Sequence, residues 1–367
     1  EGSYSSTLGR SFNRTHPGSL YPFTIANTIG SYLIMKVYSY TDPNEISPEN
    51  IFSDESPLQF QKGFSLFYQH YLNSEVKLLY SENLNAFIPV RYFKLKVFRF
   101  AQILHAPIIN NTELEASKQQ QFFEELISFH KEHQLCQRFI QPHPYGILKA
   151  VPAGAQSCPF GTYINQLDVM TDTELLYSFD PKYRKSVNHA EKNGAIIRFG
   201  RDQFSAFHDL YKQTTTRAGI HCDPVAYFDA LYKYLGEEHI EIGVVYDQEQ
   251  PIGAILLLYT KYAALCTHAG SGGESKLYGG MKMLHYKMMQ HLKAKGVKVY
   301  DLVGVRINSN NEALEGIFRF KKGFGGALKE GYLWKMDIAP VQTKVFDLMM
   351  KIRYRTTMRD IIDEESN

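Results

Sequence analysis

The stretch Gly296–Gly331, GVKVYDLVGVRINSNNEALEGIFRFKKGFGGALKEG, decides how this chain is read. It opens on a β-rich run, Val297 to Gly304, passes through a polar loop, and closes on the compact cluster Gly316-Ile-Phe-Arg-Phe-Lys-Lys-Gly-Phe-Gly-Gly326. Ile317, Phe318, Phe320 and Phe324 can build an apolar wall, and Arg319, Lys321 and Lys322 set cationic heads among them. An ammonium beside apolar walls is poorly hydrated, so it gains more from a phosphate or a developing oxyanion than it would in open water. The bland alternative is a turn whose lysines snorkel to solvent.

Outward from that stretch the chain reads as alternating helices and short strands. Phe60, Phe64, Phe67 and Tyr71 recur at helical spacing, and three β-like runs follow at Val76–Tyr80, Ala86–Val90 and Lys94–Phe100. Glu113–Gln134 reads as a charged helix with Phe122, Leu126 and Phe129 on one face, and Arg138–Ile140 as extended. The prolines and glycines of Gln141–Phe160 mark a crossing between units. Beyond it, helices are expected at Lys185–Asn193, closed by Gly194, at Phe204–Arg217, and after Asp223-Pro224, where aspartate stands in the cap position before proline. Strands are expected at Ile240–Tyr246, Pro251–Tyr259 and Tyr262–His268, then a helix carrying Met281, Leu284, Met288 and Leu292. The fold class is therefore α+β, with a leader over residues 1–45 that is rich in Ser, Thr and Gly and expected to be partly disordered. A first unit over 46–166, a second over 167–340 and a C-terminal helix over 341–367 complete the division.

Composition sets the function classes. The 367 residues suffice for two domains, and 44% hydrophobic with 21% charged residues fits a folded globular chain. Lys plus Arg (40) against Asp plus Glu (38) leaves +2, which argues against a DNA partner bound by counterion release. Cys136, Cys158, Cys222 and Cys266 lie far apart and read as free thiols in a reducing compartment, so a cytoplasmic location is expected. No apolar run reaches membrane-spanning length, and the N-terminal leader lacks the form of a secretory signal; peripheral membrane contact stays open. No metal-ligand spacing or Gly-x-Ser-x-Gly elbow stands out.

Tyr300-Asp301-x-x-Gly304, a loop, and Gly-x-x-x-Phe320-Lys321-x-x-Phe-Gly-Gly together resemble the C-terminal signature of the Fem family, the non-ribosomal peptidoglycan aminoacyltransferases. Asp180-Pro-Lys-Tyr-Arg184-Lys-Ser-Val-Asn-His-Ala-Glu-Lys-Asn-Gly194 resembles that family's basic helix, and Thr214-Thr-Thr-Arg217-Ala-Gly219 its Thr-x-x-Arg-x-Gly element. The resemblance spans about Leu58 to Ile338 and is specific in the second half. It implies two tandem domains of the acetyltransferase (GNAT) type, each a mixed, mostly antiparallel sheet flanked by helices. It also implies transfer of an aminoacyl group to an amine of a nucleotide- or lipid-linked cell-wall precursor. By motif position, Lys321 beside Phe320 would support the reacting ester and Arg217 would contact phosphates of the precursor. Arg184, Arg319, Tyr300 and Asp301 complete the expected substrate-binding set, and three of the set have a plain alternative: a helix-end charge for Arg217, a solvated face for Arg184, a loop cap for Asp301.

His268 stands where the family strand often carries tyrosine, and its ordinary pKa near neutrality suits a proton shuttle, or simply a packed strand residue. The loop Gly270–Gly280, with Lys276, Gly279 and Gly280 ahead of a helix, loosely matches a coenzyme A pyrophosphate site or a flexible hinge. No permanently bound cofactor is expected; aminoacyl-tRNA is the expected co-substrate and acyl-CoA the alternative on the same scaffold. A non-catalytic module binding glycan or protein is the second alternative.

Overall fold

A computed structural model describes residues 35–39, 53–272, 277–307, 309, 311–354 and 360–365. The first half runs β1 (Met35–Ser39), α1 (Lys62–His70), β2 (Glu75–Ser81), β3 (Ala86–Leu95), β4 (Phe98–Ile103), β5 (Ile108–Ile109), β6 (Thr112–Glu113), α2 (Ala116–Glu132) and β7 (Arg138–Ile140). Then come β8 (Gln156–Gln166), α3 (Asp172–Ser178), α4 (Pro181–Lys192), β9 (Ala195–Phe199), α5 (Phe204–Ala218), α6 (Val225–Leu235), β10 (Ile240–Asp247), β11 (Gln250–Tyr259) and β12 (Ala264–Ser271). The chain closes with α7 (Gly280–Ala294), β13 (Val299–Asp301), β14 (Val305–Arg306), α8 (Glu312–Lys322), β15 (Ala327–Asp337), α9 (Pro340–Tyr354) and α10 (Ile361–Glu365). The architecture is α+β, with helices on mixed, mostly antiparallel sheet.

The strands join in the order β1-β2-β3-β4-β7-β15-β8-β13-β12-β11-β10-β9. Only β4 with β7 and β12 with β13 run parallel among the described pairings. The long strand β15 is the hinge of this order: Ala327–Lys335 pairs with β8, while Met336 and Asp337 continue onto β7. Strand β8 lies ahead of the expected boundary at Leu167, yet it pairs with β13, β14 and β15. Met35–Ser39, inside the expected leader, forms β1 and pairs with β2; the rest of residues 1–45 lies outside the described residues.

Strands β10 and β11 are buried almost end to end because helices cover both faces. Alternate residues therefore serve different cores. Val244, Ala254, Leu256 and Leu258 join Phe207, Leu210, Tyr211 and Phe228 of α5 and α6, and this core also takes in Phe60, Phe64, Phe67 and Leu78 from the first half. Val245, Ile255, Leu257 and Tyr259 meet Leu284, Met288 and Leu292 of α7 and Val187 of α4. A third core packs α2 on the first-half strands around Trp334 of β15.

Two expectations are corrected. The run Lys94–Phe100 is not one strand but the end of β3, a tight turn and the start of β4, with Lys96 at φ 57°. The polar loop after Gly304 gives way to a regular helix, α8. Asn311 caps it by accepting from the Ala313 and Leu314 N–H groups, Glu312 and Glu315 fill its first turn, and Arg319, Lys321 and Lys322 its last. That charge order follows the helix dipole.

Trp334 is fully buried and meets the edges of Phe123 and Phe139 at ring-centroid distances of 5.4 and 5.8 Å. Because the same strand ties both halves of the sheet, Trp334→Ala should cost about 3–5 kcal/mol in urea unfolding. A loss below about 1 kcal/mol would show that the first-half core does not depend on this strand.

Candidate active site

The backbone between β13 and β14 is turned by two successive left-handed residues, Val303 at φ 50° and Gly304 at φ 58°. For a β-branched residue that conformation costs roughly 1–3 kcal/mol. It is held by Asp301, whose Oδ1 accepts the Val303 N–H at 2.7 Å and the Thr162 hydroxyl at 2.5 Å. The consequence is that the carbonyls of Val303 and Gly304 converge on one point. Lys321, in the last turn of α8, puts its ammonium there, donating to the Val303 carbonyl and to the Gly304 carbonyl at 2.7 Å.

Packing fixes α8 in that position. Phe318 meets Tyr163, and Phe320 meets Tyr183, His285 and Phe324. Phe324 is fully buried against Phe179, Tyr183 and His285. The chain leaves the helix through Gly325 at φ 69°, where a Cβ would lie 1.8 Å from the Ser178 carbonyl oxygen, so only glycine fits. Asn165 of β8 donates to the Phe324 carbonyl at 2.8 Å and locks the exit.

The surroundings are dry. Lys321 keeps partial exposure as a residue, but its ammonium is desolvated enough to push its pKa down to about 8, with Cys266 and Asp301 opposing that drop. Burial pushes the Asp301 carboxyl above its usual range, against the pull of Thr162, Val303, Lys329 and Lys321. Burial drives the Cys266 thiol up to about 12, and burial with the Lys321 charge drives His285 down to about 3. His285 is therefore neutral at pH 7, with its Nδ1 hydrogen-bonded to the Tyr300 hydroxyl at 2.8 Å. An ammonium has three N–H bonds and Lys321 gives two to carbonyls. The third suits a substrate oxygen that becomes an anion.

So the structure gathers Lys321, Phe320, Tyr300 and Asp301, and the other expected residues lie elsewhere. Arg319 is exposed and paired with Glu315 one turn back. Arg184 donates to the Tyr177 and Phe179 carbonyls, both at 2.7 Å, and so ties α4 to the end of α3. Arg217 and Thr214 clamp the end of β12: Arg217 reaches the Ser271 hydroxyl at 3.2 Å, and the Ser271 N–H donates to Thr214 Oγ1 at 2.8 Å. Gly279 sits at φ 94° where a Cβ would lie 2.2 Å from the Ser186 carbonyl oxygen, so it serves the close approach of α7 to α4; Gly280 packs on Ile252. Lys276 lies outside the described residues.

His268 is separated from Lys321 by a β-bulge. The β11–β12 register shifts between Leu256 and Leu257, so Leu257 pairs with Cys266 and Leu256 with His268, leaving Thr267 as the extra residue. Residues two apart then face opposite sides of the sheet. Cys266 packs with the α4–α7 core, next to Lys321, whereas His268 points among Phe207, Tyr211, Tyr227 and Phe228. Its position argues against proton transfer at the Lys321 ammonium.

The FemAB family's sequence model matches residues 101–246 and 237–349, together more than half of the chain. The chain belongs to the FemAB family. It is 22% identical over 252 residues to the aminoacyltransferase FemB of Staphylococcus epidermidis, a match covering 51% of this chain and 60% of FemB. The crystal structure of FemX superposes with a TM-score of 0.59 at 14% identity, over 81% of this chain and 96% of FemX, so the fold is shared. A fainter likeness, TM-score 0.47 at 15% identity over 76% and 89% of the two chains, is to the C-terminal domain of a putative lysylphosphatidylglycerol synthetase from Agrobacterium fabrum.

This FemAB chain carries a second polar cluster that sequence reasoning missed. Asp223, read as a helix cap, makes no cap bond to α6; its Oδ2 accepts the Tyr211 hydroxyl at 2.9 Å and lies 3.4 Å from His268 Nε2. Burial works to raise its pKa, but His268, Tyr211 and His221 outweigh that and hold it below the usual carboxylate range. The cluster faces the first half of the chain through Tyr227, which meets Phe67 and Tyr71 of the α1 region. Asp-Pro before a helix is the ordinary sign of a cap, so nothing local in the sequence marked this carboxylate for burial.

A lysine whose folded pKa is depressed costs stability wherever it is charged in both states. Between about pH 8 and the ordinary 10.5 the unfolded chain binds the extra proton, so this cost is relieved as pH rises. Comparing urea unfolding of the wild type and Lys321→Met across that window should show the wild type gaining on the variant. A difference that does not change with pH would show that Lys321 is not desolvated.

Proposed function

We propose that this FemAB protein transfers an aminoacyl group from aminoacyl-tRNA to an amine of a nucleotide- or lipid-linked peptidoglycan precursor, on the cytoplasmic side of the membrane. The observation that carries this reading is the Lys321 ammonium, desolvated and fixed by the Val303 and Gly304 carbonyls. Support comes from family membership and from the likeness to FemB, an aminoacyltransferase. The chain spans 60% of that relative's length, so the whole activity is inferred and not inherited.

In this reading the acceptor amine attacks the ester carbonyl carbon and the C–N bond forms. The carbonyl oxygen takes the electron pair, and the third N–H of Lys321 meets it. Collapse of the tetrahedral intermediate breaks the C–O bond; the tRNA ribose hydroxyl leaves with the proton that the amine gives up. Lys321 is already oriented before the oxyanion forms, so little reorganisation is needed. Phe320 and Phe324 pack edge to face where α8 ends and add apolar surface to that end of the helix. Arg217, at the end of the β12 clamp, is the residue proposed to meet precursor phosphates.

Lys321→Met should lower turnover of aminoacyl-tRNA with a peptidoglycan precursor by about a hundredfold or more while the fold persists. The wild-type rate should fall on the alkaline side with a midpoint near the Lys321 pKa of about 8, because the neutral amine cannot neutralise the oxyanion. Near-normal turnover by the variant would remove Lys321 from the mechanism. Turnover of an acyl-CoA in place of aminoacyl-tRNA would overturn the donor assignment, and binding of precursor without turnover of either donor would overturn the enzyme reading.

A further inference from the structure

Helix α9 (Pro340–Tyr354) presents apolar residues to two opposite sides. Thr343 is buried, and Phe346 packs on Phe98 and Phe100 of β4 at 5.1 and 4.9 Å. On the other side Val341, Val345, Leu348 and Ile352 are 78, 49, 59 and 72% exposed. At ~100° per residue these four fall within a sector of about 60°. They form one continuous aliphatic ridge of nearly the whole helix length, and Met349 adds to its edge at 40% exposure. Scattered exposed apolar residues are ordinary, but a ridge aligned along a helix is not.

The charge around the ridge has one sign. Lys344 and Lys351, both exposed, flank it along one side. The one acid within α9, Asp347, is taken by Arg138, which donates to its two oxygens at 2.9 and 2.7 Å. The β3–β4 hairpin that Phe346 anchors beside the helix ends in Lys94-Leu95-Lys96-Val97, all four exposed, with Val97 at 81%. Leu95 pairs across the hairpin with Phe98 and so lies on the helix side of the sheet. Two neighbouring elements therefore repeat the same composition: aliphatic tips set between lysines.

We infer that α9 and the β3–β4 turn form a docking surface for an anionic lipid bilayer. A convex ridge has no pocket to grip a protein side chain, and it carries none of the exposed aromatic anchors usual at protein interfaces. Aliphatic side chains on one side with lysines at their flanks match the boundary between acyl chains and negatively charged headgroups. The helix is about 22 Å long, so it lies on the surface and does not cross. Among the described residues no helix is long and apolar enough to span a membrane. None of this depends on the transferase reading, since no residue of the ridge belongs to the Lys321 site.

Co-sedimentation of the full chain with phosphatidylglycerol-containing vesicles, and with phosphatidylcholine vesicles as comparison, tests the inference at low and high salt. The protein should bind the anionic vesicles, bind neutral ones weakly, and lose affinity as salt rises. The double variant Val345→Ser/Ile352→Ser should bind about tenfold more weakly with an unchanged melting temperature, because both positions are already in water. Lys344→Gln/Lys351→Gln should weaken binding and flatten the salt dependence. Failure of the wild type to bind anionic vesicles, or equal binding by the serine variant, overturns the inference. So does concentration-dependent self-association that the serine pair abolishes, which would make the ridge an interface between copies of the chain.

Discussion

The Lys321 ammonium held by two backbone carbonyls is the contact around which this half of the molecule is arranged. Among the described residues no carboxylate touches it; such a lysine is expensive to desolvate, and carbonyl dipoles are a weaker counterweight than an ion pair. The carbonyls can converge only because Val303 accepts a left-handed conformation that a β-branched side chain disfavours. Val303 in turn is held by Asp301, which is fixed through Thr162 of β8. Each link leans on the next: sheet, carboxylate, turn, carbonyls, cation.

The sheet decides which side chains share that environment. One extra residue at Thr267 sends Cys266 and His268 to opposite faces, so the Lys321 site and the Asp223–His268 cluster lie back to back across β12. The two clusters differ in their electrostatics. Asp223 finds enough donors to stay below the usual carboxylate range in spite of its burial, while Asp301 does not and is pushed above it. The first is a satisfied network; the second holds its groups in their less comfortable protonation range, as sites of chemistry commonly do.

Much of this was legible from residue order alone. The paired strands β10 and β11, helix α4 closed by the left-handed Gly194, and helix α7 with its apolar stripe all follow from periodicity and a terminal glycine. Helix α8 has its ends spelled out by Asn311, the acidic first turn and the basic last turn, but Gly316 and Gly323 give the same stretch the look of a turn. The role of Asp223 was hidden for a different reason. Its partners Tyr211 and His268 come from α5 and β12, and an Asp-Pro pair looks the same whether the carboxylate caps a helix or enters a core. The bulge at Thr267 is likewise a property of two strands in register, so no pattern within β12 alone announces it.

Where local rules are broken together, the break carries information that no single violation does. Left-handed Val303, desolvated Lys321, raised Asp301 and neutral buried His285 all fall within one loop, one helix end and the helix packed on them. Replacing Lys321 with an apolar residue would relieve most of that tension, so folding alone offers no reason to retain it. An ammonium fixed there becomes favourable only when a negative charge arrives beside it, and then the desolvation that penalises the resting protein strengthens the attraction. Arg184 differs: its charge is satisfied by the Tyr177 and Phe179 carbonyls at the half-buried junction of α3 and α4, without the surrounding strain. Strain, burial and a third N–H without a partner among the described residues coincide at Lys321, and that coincidence is what distinguishes a poised cation from one that merely holds two helices together.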